Sequence, residues 1–229
     1  PDCDSLVVCA SDNKLEDCQN DPALSYAINV EGLEKVIKKY KSLQTKVLFF
    51  SSSHVFSGKK PLCGEDEILA PRNVMGEQKI LGEQMVLSEG GLIMRMTKVI
   101  GPCFPRFIDW AHDLKNGKEV KAFSNLMTSL VPLNSLLKVI IVAIQEDWSG
   151  VIHLSGPEEK SYSEIARMLA KGLGYSDKLL QPVNGDVEVI SKKPLYTTLH
   201  ISERVLALNI DLPDTEKVID NWCKNYIKT

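Results

Sequence analysis

Pro71-Arg72-Asn73-Val74-Met75-Gly76-Glu77-Gln78-Lys79 opens the segment whose reading decides the fold. From Val74 to Leu87 the apolar residues Val74, Ile80, Leu81 and Met85 recur at helical spacing. On either side lie Lys46 to Phe50 and Leu92 to Met96, short and nearly all apolar, as strands buried on both faces are. Leu6 to Cys9 is a third such run. Between it and Lys46, Pro22 to Tyr40 carries a second helical stripe of Leu24, Ala27, Ile28, Val30, Leu33, Val36 and Ile37. Strand and helix therefore alternate, which predicts an α/β fold with a parallel sheet covered by helices. Gly101-Pro102-Cys103-Phe104-Pro105 marks a crossing toward a second lobe, and Leu133 to Ile144 is a further helix feeding a strand at Val151 to Leu154. Helices near Ser161 to Gly172 and Pro213 to Ile227 belong to that lobe, the first opening on a capping-box spacing of Ser161 and Glu164.

With 229 residues and 44% hydrophobic content the chain can bury a core, most simply as one α/β domain with a smaller lobe. A net charge of −3 and no basic run beyond Lys38-Lys39-Tyr40-Lys41 argue against nucleic acid as a partner. That run ends a predicted helix, where cations meet the negative end of the dipole. The longest apolar candidate, Leu136 to Ile144, contains Lys138 and is about half the roughly 20 residues of a membrane helix, so no membrane partner is expected. Cys3, Cys9, Cys18, Cys63, Cys103 and Cys223 form no C-x-x-C pair and have no His at ligand spacing. Neither a metal site nor a disulfide framework is expected, and reduced thiols suit a cytoplasmic protein.

Several motifs occur in a fixed order. Leu6-Val7-Val8-Cys9-Ala10-Ser11 ends a strand in small residues, and Asp21-Pro22 leads to Asn29-Val30-Glu31-Gly32. Ser51-Ser52-Ser53-His54-Val55-Phe56-Ser57-Gly58 follows, then the helix from Pro71 to Glu83, Arg95 to Val99 with Gly101, His153-Leu154-Ser155-Gly156, and Lys193-Pro194-Leu195-Tyr196-Thr197-Thr198-Leu199. In order and spacing these resemble the dTDP-4-dehydrorhamnose reductase branch of the extended short-chain dehydrogenase/reductases, an RmlD-like branch of the NAD-dependent epimerase/dehydratase superfamily. That branch also includes the regulatory beta subunit of methionine adenosyltransferase.

The resemblance implies an NAD(P)-binding, Rossmann-like, doubly wound parallel sheet with a smaller α/β substrate lobe. The expected division is 1–103 with 127–156 for the partial Rossmann-like domain and 104–126 with 157–229 for the substrate-binding lobe. The implied cofactor is NAD or NADP, and the implied partner is a nucleotide-linked sugar whose 4-keto group is reduced by hydride transfer. A homo-oligomer or a partner protein is left open. The family's G-x-x-G-x-x-G turn does not occur in these residues, since Gly90-Gly91 and Gly172-x-Gly174 lack the spacing and the preceding strand. It is expected before Pro1. The chain thus reads as a piece of a longer protein, a trimmed stretch or a truncated relative, with the strand at Leu6 to Cys9 beside a gap, a partner chain or poorly ordered density.

The same resemblance assigns the candidate site. Lys79 matches the lysine that holds the nicotinamide ribose and tunes a tyrosine one helical turn earlier. Met75 holds the tyrosine's place, and a thioether cannot relay a proton. Either the activity has decayed or the acid has moved, and His54, where relatives often have Tyr facing the substrate, is the local replacement. Ser52 matches the hydroxyl that bonds the substrate carbonyl. Cys9, Ala10, Ser11 and Ser51, together with Lys79, are expected on the cofactor side. Relatives read approximately D-Q-x-G-S-P-T where this chain has Ser124-Asn125-Leu126-Met127-Thr128-Ser129-Leu130, so an acid and a turn glycine are both replaced. Glu65-Asp66-Glu67 reads as a solvated acidic turn, His112 and Asp113 have no third ligand, and His200 has no assigned role. The expected function is an NAD(P)-dependent nucleotide-sugar reductase-like protein of weak or altered activity; the alternative is a non-catalytic binding or regulatory subunit.

Overall fold

The computed structural model describes residues 3–41, 43–186 and 192–228. The parts of the expected domains at residues 1, 2, 42, 187–191 and 229 lie outside the described residues. In chain order the strands are β1 (Ser5–Val8), β2 (Lys46–Ser52), β3 (Leu92–Met96), β4 (Lys98–Ile100), β5 (Val120–Phe123), β6 (Met127–Thr128), β7 (Leu130–Pro132), β8 (Gly150–Leu154), β9 (Lys160–Ser161) and β10 (Leu180–Val183). The helices are α1 (Leu15–Asn20), α2 (Pro22–Tyr26), α3 (Gly32–Lys41), α4 (Val74–Ser88), α5 (Pro105–Lys115), α6 (Leu133–Gln145), α7 (Tyr162–Gly172), α8 (Glu203–Ala207) and α9 (Thr215–Tyr226).

The main sheet has the order β1-β2-β3-β8 and every pairing is parallel. Its strands are apolar on both faces because both are covered. In β2, Val47 and Phe49 pack toward α3 and α4 with Leu33, Ile37, Val86 and Ile93. Leu48, between them, packs toward α6 with Leu136, Val139, Met94 and Ile152. The alternation is the period of two along a strand. Among the described residues no strand pairs with the outer edge of β1, whose residues are only partly buried, whereas Leu92 to Arg95 in β3 are fully buried.

One expected helix, Pro22 to Tyr40, is divided. Asp21 caps α2, its carboxylate accepting from Leu24 N at 2.9 Å with Pro22 at the first helical position. A π-helical turn then spans Ala27–Glu31 before α3 begins. The wide turn seats the buried Asn29, whose amide bonds the backbone of Asp12 at 2.7 and 3.0 Å and Gln78 Oε1 at 2.8 Å. An inserted residue of this kind commonly marks a functional position.

A second core joins α5, β5, α7, β10 and α9 through Phe107, Trp110, Ile165, Leu169, Ile219 and Trp222. Its helix α7 opens on the expected capping box: Ser161 Oγ accepts from Glu164 N at 3.2 Å while Glu164 Oε2 accepts from Ser161 N at 2.8 Å. The segment carrying Val205, Leu208, Ile210 and Leu212, expected in the second lobe, packs instead against the sheet core. The reason is an anchor ahead of α8, where Ser202 Oγ accepts from His153 N of β8 at 2.6 Å. No helix among the described residues is long and apolar enough to cross a membrane, and all six cysteines are free.

Candidate active site

The site is built where β2 ends against the start of α4. Ser51 Oγ donates to Glu83 Oε1 of α4 at 2.5 Å, so that hydroxyl is committed to the protein interior. Ser52 Oγ accepts from His54 N at 3.2 Å. This contact uses an oxygen lone pair and leaves the Ser52 hydroxyl proton free to donate into the cleft. Asn73 caps α4, its Oδ1 accepting from Gly76 N at 2.9 Å. The helix begins so close to the serine segment that a Cβ on Gly76 would come within 2.3 Å of His54 O. A glycine there is what allows the approach.

That approach seats Met75 and Lys79, one turn apart, beside the end of β2. Lys79 is buried and donates from Nζ to Phe50 O at 2.9 Å and to Ser11 Oγ at 3.1 Å, with its ammonium 4.9 Å from the centre of the Phe49 ring. Ser11 Oγ donates onward to Asn29 Oδ1 at 2.9 Å, Asn29 Nδ2 to Gln78 Oε1 at 2.8 Å, and Gln78 Nε2 to Ser25 Oγ at 2.8 Å. Burial pulls the Lys79 amine down to about 8, against the opposing pull of Cys18 and Glu83. Between pH 8 and the ordinary lysine value of 10.5, the folded protein therefore binds fewer protons at this site than the unfolded chain, and stability rises with pH. Compared with Lys79→Met, the parent chain should gain about 3 kcal/mol across that interval. Urea denaturation of both proteins at pH 7, 9 and 10.5 measures it; a stability difference that stays constant would mean that Lys79 keeps its ordinary proton affinity.

Opposite α4, the second lobe closes a cleft of about 510 Å³. From the sheet side its wall holds Ser52, His54, Met75 and Lys79, together with Cys9, Ser11 and Ser51. Ala10, expected on the cofactor side, is exposed between Cys9 and Ser11 in the irregular segment after β1 and does not line the cleft. His54 Nδ1 lies 3.2 Å from Asn73 Nδ2. Burial, reinforced by Lys98 and Lys193, lowers the His54 imidazole to about 4. The segment Ser124 to Leu130 supplies Leu126 and Thr128 to the wall in place of an acid and a glycine.

Sequence reasoning missed three features. Tyr162, at the first position of α7, brings a phenol into the cleft beneath the Arg106 guanidinium, which sits 5.2 Å from its ring centre; its signal was hidden because Ser161 and Glu164 read only as a cap. Glu83 and Arg95 form a fully buried ion pair. Glu65 is exposed in a turn, as expected, but it also accepts from the Ser202 hydroxyl through its carboxylate and from Arg95 Nη1 through its backbone oxygen at 3.0 Å. Glu67 behaves as expected, paired with Lys60 at the surface. No group of residues suited to a metal ion occurs among the described residues.

A parallel sheet with helices on both faces, carrying a hydroxyl and a buried amine at the carboxyl ends of its strands beneath a second lobe, is a Rossmann-like architecture. The chain belongs to the RmlD substrate binding domain family, whose sequence model matches residues 1–227. Its fold is similar to a dTDP-4-dehydrorhamnose reductase from Bacillus anthracis solved with NADP, at 22% identity and a TM-score of 0.86, covering 99% of this chain and 81% of that one. A dTDP-4-dehydrorhamnose reductase from Yersinia enterocolitica matches at 24% identity and 0.85, over 97% of this chain and 81% of that one. The dTDP-glucose 4,6-dehydratase DesIV from Streptomyces venezuelae, solved with NAD and TYD, matches at 15% identity and 0.84, over 99% and 74%. No curated protein matches in sequence. At these identities the solved structures speak for the fold.

Proposed function

We propose that this chain carries the catalytic cleft and sugar-side lobe of an NAD(P)-dependent nucleotide-sugar reductase-like protein, directed at a 4-keto sugar and weakened by the loss of a phenol at position 75. The observation that supports it best is the meeting, in one cleft, of the Ser52 hydroxyl, the buried Lys79 amine and Met75, with a second lobe opposite. Relatives of this family and fold act on dTDP-linked sugars or were solved with NADP or NAD.

The residues present fit the nicotinamide end of such a cofactor. Lys79 and Ser11 sit side by side at the cleft with Cys9 exposed beside them, while the glycine-rich turn that would take the pyrophosphate is not among these 229 residues. Bound there, the dinucleotide would supply the hydride. The chain's own part is to orient and to stabilise charge. Ser52, its oxygen already accepting from His54 N, points its proton at a carbonyl oxygen, and the Lys79 cation supports negative charge developing there.

The second reading, a non-catalytic binding or regulatory subunit similar in role to the methionine adenosyltransferase beta subunit, draws its support from Met75 and from the lowered proton affinity of His54. The first reading requires a sugar nucleotide in the cleft, and the second does not. Calorimetric titration with dTDP-glucose should show saturable binding that free dTDP competes away; no heat at millimolar ligand would sink the nucleotide-sugar assignment.

A further inference from the structure

Asn73 is almost fully buried and spends both ends of its amide. Its Oδ1 accepts from Gly76 N at 2.9 Å, so that end must be the oxygen. Its Nδ2 therefore faces Lys192 O at 2.9 Å and His54 Nδ1 at 3.2 Å. A carboxamide nitrogen can only donate, so Nδ1 of His54 must accept, and the single proton of a neutral imidazole is left on Nε2. A proton on Nδ1 would set two donors against each other at 3.2 Å inside the protein. Nε2 has no hydrogen-bond partner among the described residues, and His54 forms part of the cleft wall beside Ser52 and Met75.

We propose that Asn73 is a positioning residue that holds His54 as a neutral, Nε2-protonated hydrogen-bond donor, so that His54 grips an acceptor oxygen of the bound ligand instead of replacing the missing acid. The identity of that oxygen, on a nucleotide-linked sugar, rests on the reading above. The charged groups that bear on His54 point the same way: Lys98 and Lys193 are both cations, and with burial they lower the imidazole to about 4. A neutral imidazole that donates without becoming an acid is a recognised way to polarise a carbonyl. The same amide bonds the Lys192 carbonyl, next to Lys193 of the cleft wall, so the histidine, the start of α4 and the far lobe share one anchor.

The test is nitrogen-15 NMR of the four imidazoles, with the His54 signal assigned by its loss in His54→Phe. In the parent, His54 should carry its proton on Nε2 and should not titrate between pH 5 and 8. Asn73→Asp keeps an oxygen to cap the helix but offers His54 a carboxylate. It should move the proton to Nδ1 and raise the titration midpoint by at least one pH unit. His54→Phe should weaken dTDP-glucose binding roughly three- to tenfold, the worth of one neutral hydrogen bond. A parent His54 that titrates near 6.5 or is protonated on Nδ1 overturns the proposal. So does an Asn73→Asp protein with His54 unchanged, or a His54→Phe protein that binds as tightly as the parent. A parent with the expected tautomer and Asn73 dependence that binds no dTDP-glucose supports the Asn73–His54 arrangement and overturns the nucleotide-sugar reading instead.

Discussion

Met75→Tyr, placed in a chain that carries the glycine-rich cofactor turn ahead of Pro1, should raise the rate of NADPH oxidation in the presence of a dTDP-linked 4-keto sugar by about 10²- to 10⁴-fold over the same chain with Met75, the usual worth of a positioned general acid. The position is prepared for it. Residue 75 is in the first turn of α4, one turn before Lys79, and it already forms part of the cleft wall beside Ser52. An ammonium at that spacing lowers the pKa of a phenol and so eases transfer of its proton. Burial weakens the hold of Lys79 on its own proton, and the bonds from Nζ to Phe50 O and Ser11 Oγ fix where the amine sits. Met75 is 6% exposed but lines the cleft, so a tyrosine fits there by extending its ring toward the cleft and away from the core. Two controls separate the accounts of the acid. If His54 had taken over, the parent would already turn over well and His54→Ala would abolish it. If the phenol of Tyr162 had done so, Tyr162→Phe would be the damaging change. A parent that is fast and indifferent to all three substitutions would refute the idea that position 75 is the lesion. If Met75→Tyr, His54→Ala and the parent all stay silent with cofactor bound, the altered segment Ser124 to Leu130 becomes the reason and the regulatory reading gains.

What the sequence disclosed, it disclosed through local signals. The ends of β2, β3 and β8 fall within two residues of the apolar runs that announced them, because a strand buried on both faces is apolar continuously. That Met75 and Lys79 lie one turn apart on α4 followed from their spacing, while the roles proposed for them came only from the resemblance. The break in the helix from Pro22 was not, because it depends on Asn29 reaching Gln78, 49 positions away. The difference between Ser51, tied to Glu83, and Ser52, free toward the cleft, could not be read from three consecutive serines until α4 was laid beside them. Tyr162 enters the site from the other lobe, and nothing near it in sequence points there. Asn73 stood in the opening motif without a role because two of its partners, His54 and Lys192, come from separate parts of the chain.

The largest loss of stability should come from a pair that carries no chemistry. Arg95 meets Glu83 through two bonds, Nε to Oε1 at 2.9 Å and Nη2 to Oε2 at 2.7 Å, with both residues at most 4% exposed. Most of the remaining capacity is also used. Glu83 accepts from Ser51 Oγ, Arg95 Nη1 donates to Glu65 O at 3.0 Å and lies 3.3 Å from His153 Nε2, and the guanidinium stacks 5.2 Å from the centre of Phe56. Removing one partner strands a charge in the interior, so Glu83→Met or Arg95→Met should each cost about 3–5 kcal/mol of unfolding free energy. The double substitution should cost less than either single one, because no unpaired charge remains and the two thioethers fill much of the space. Urea unfolding of the four proteins forms the cycle, and single costs below about 1 kcal/mol would show that the pair is solvated in a way the structure does not have. The link to the cleft runs along α4: Glu83 is one turn beyond Lys79, and its bonds to β3 and to Ser51 pin that helix against the sheet end that presents Ser52. In whichever of the double and single variants still folds, the His54 tautomer and the affinity for dTDP-glucose should therefore change only as far as α4 shifts, which separates a structural clamp from a residue that touches ligand.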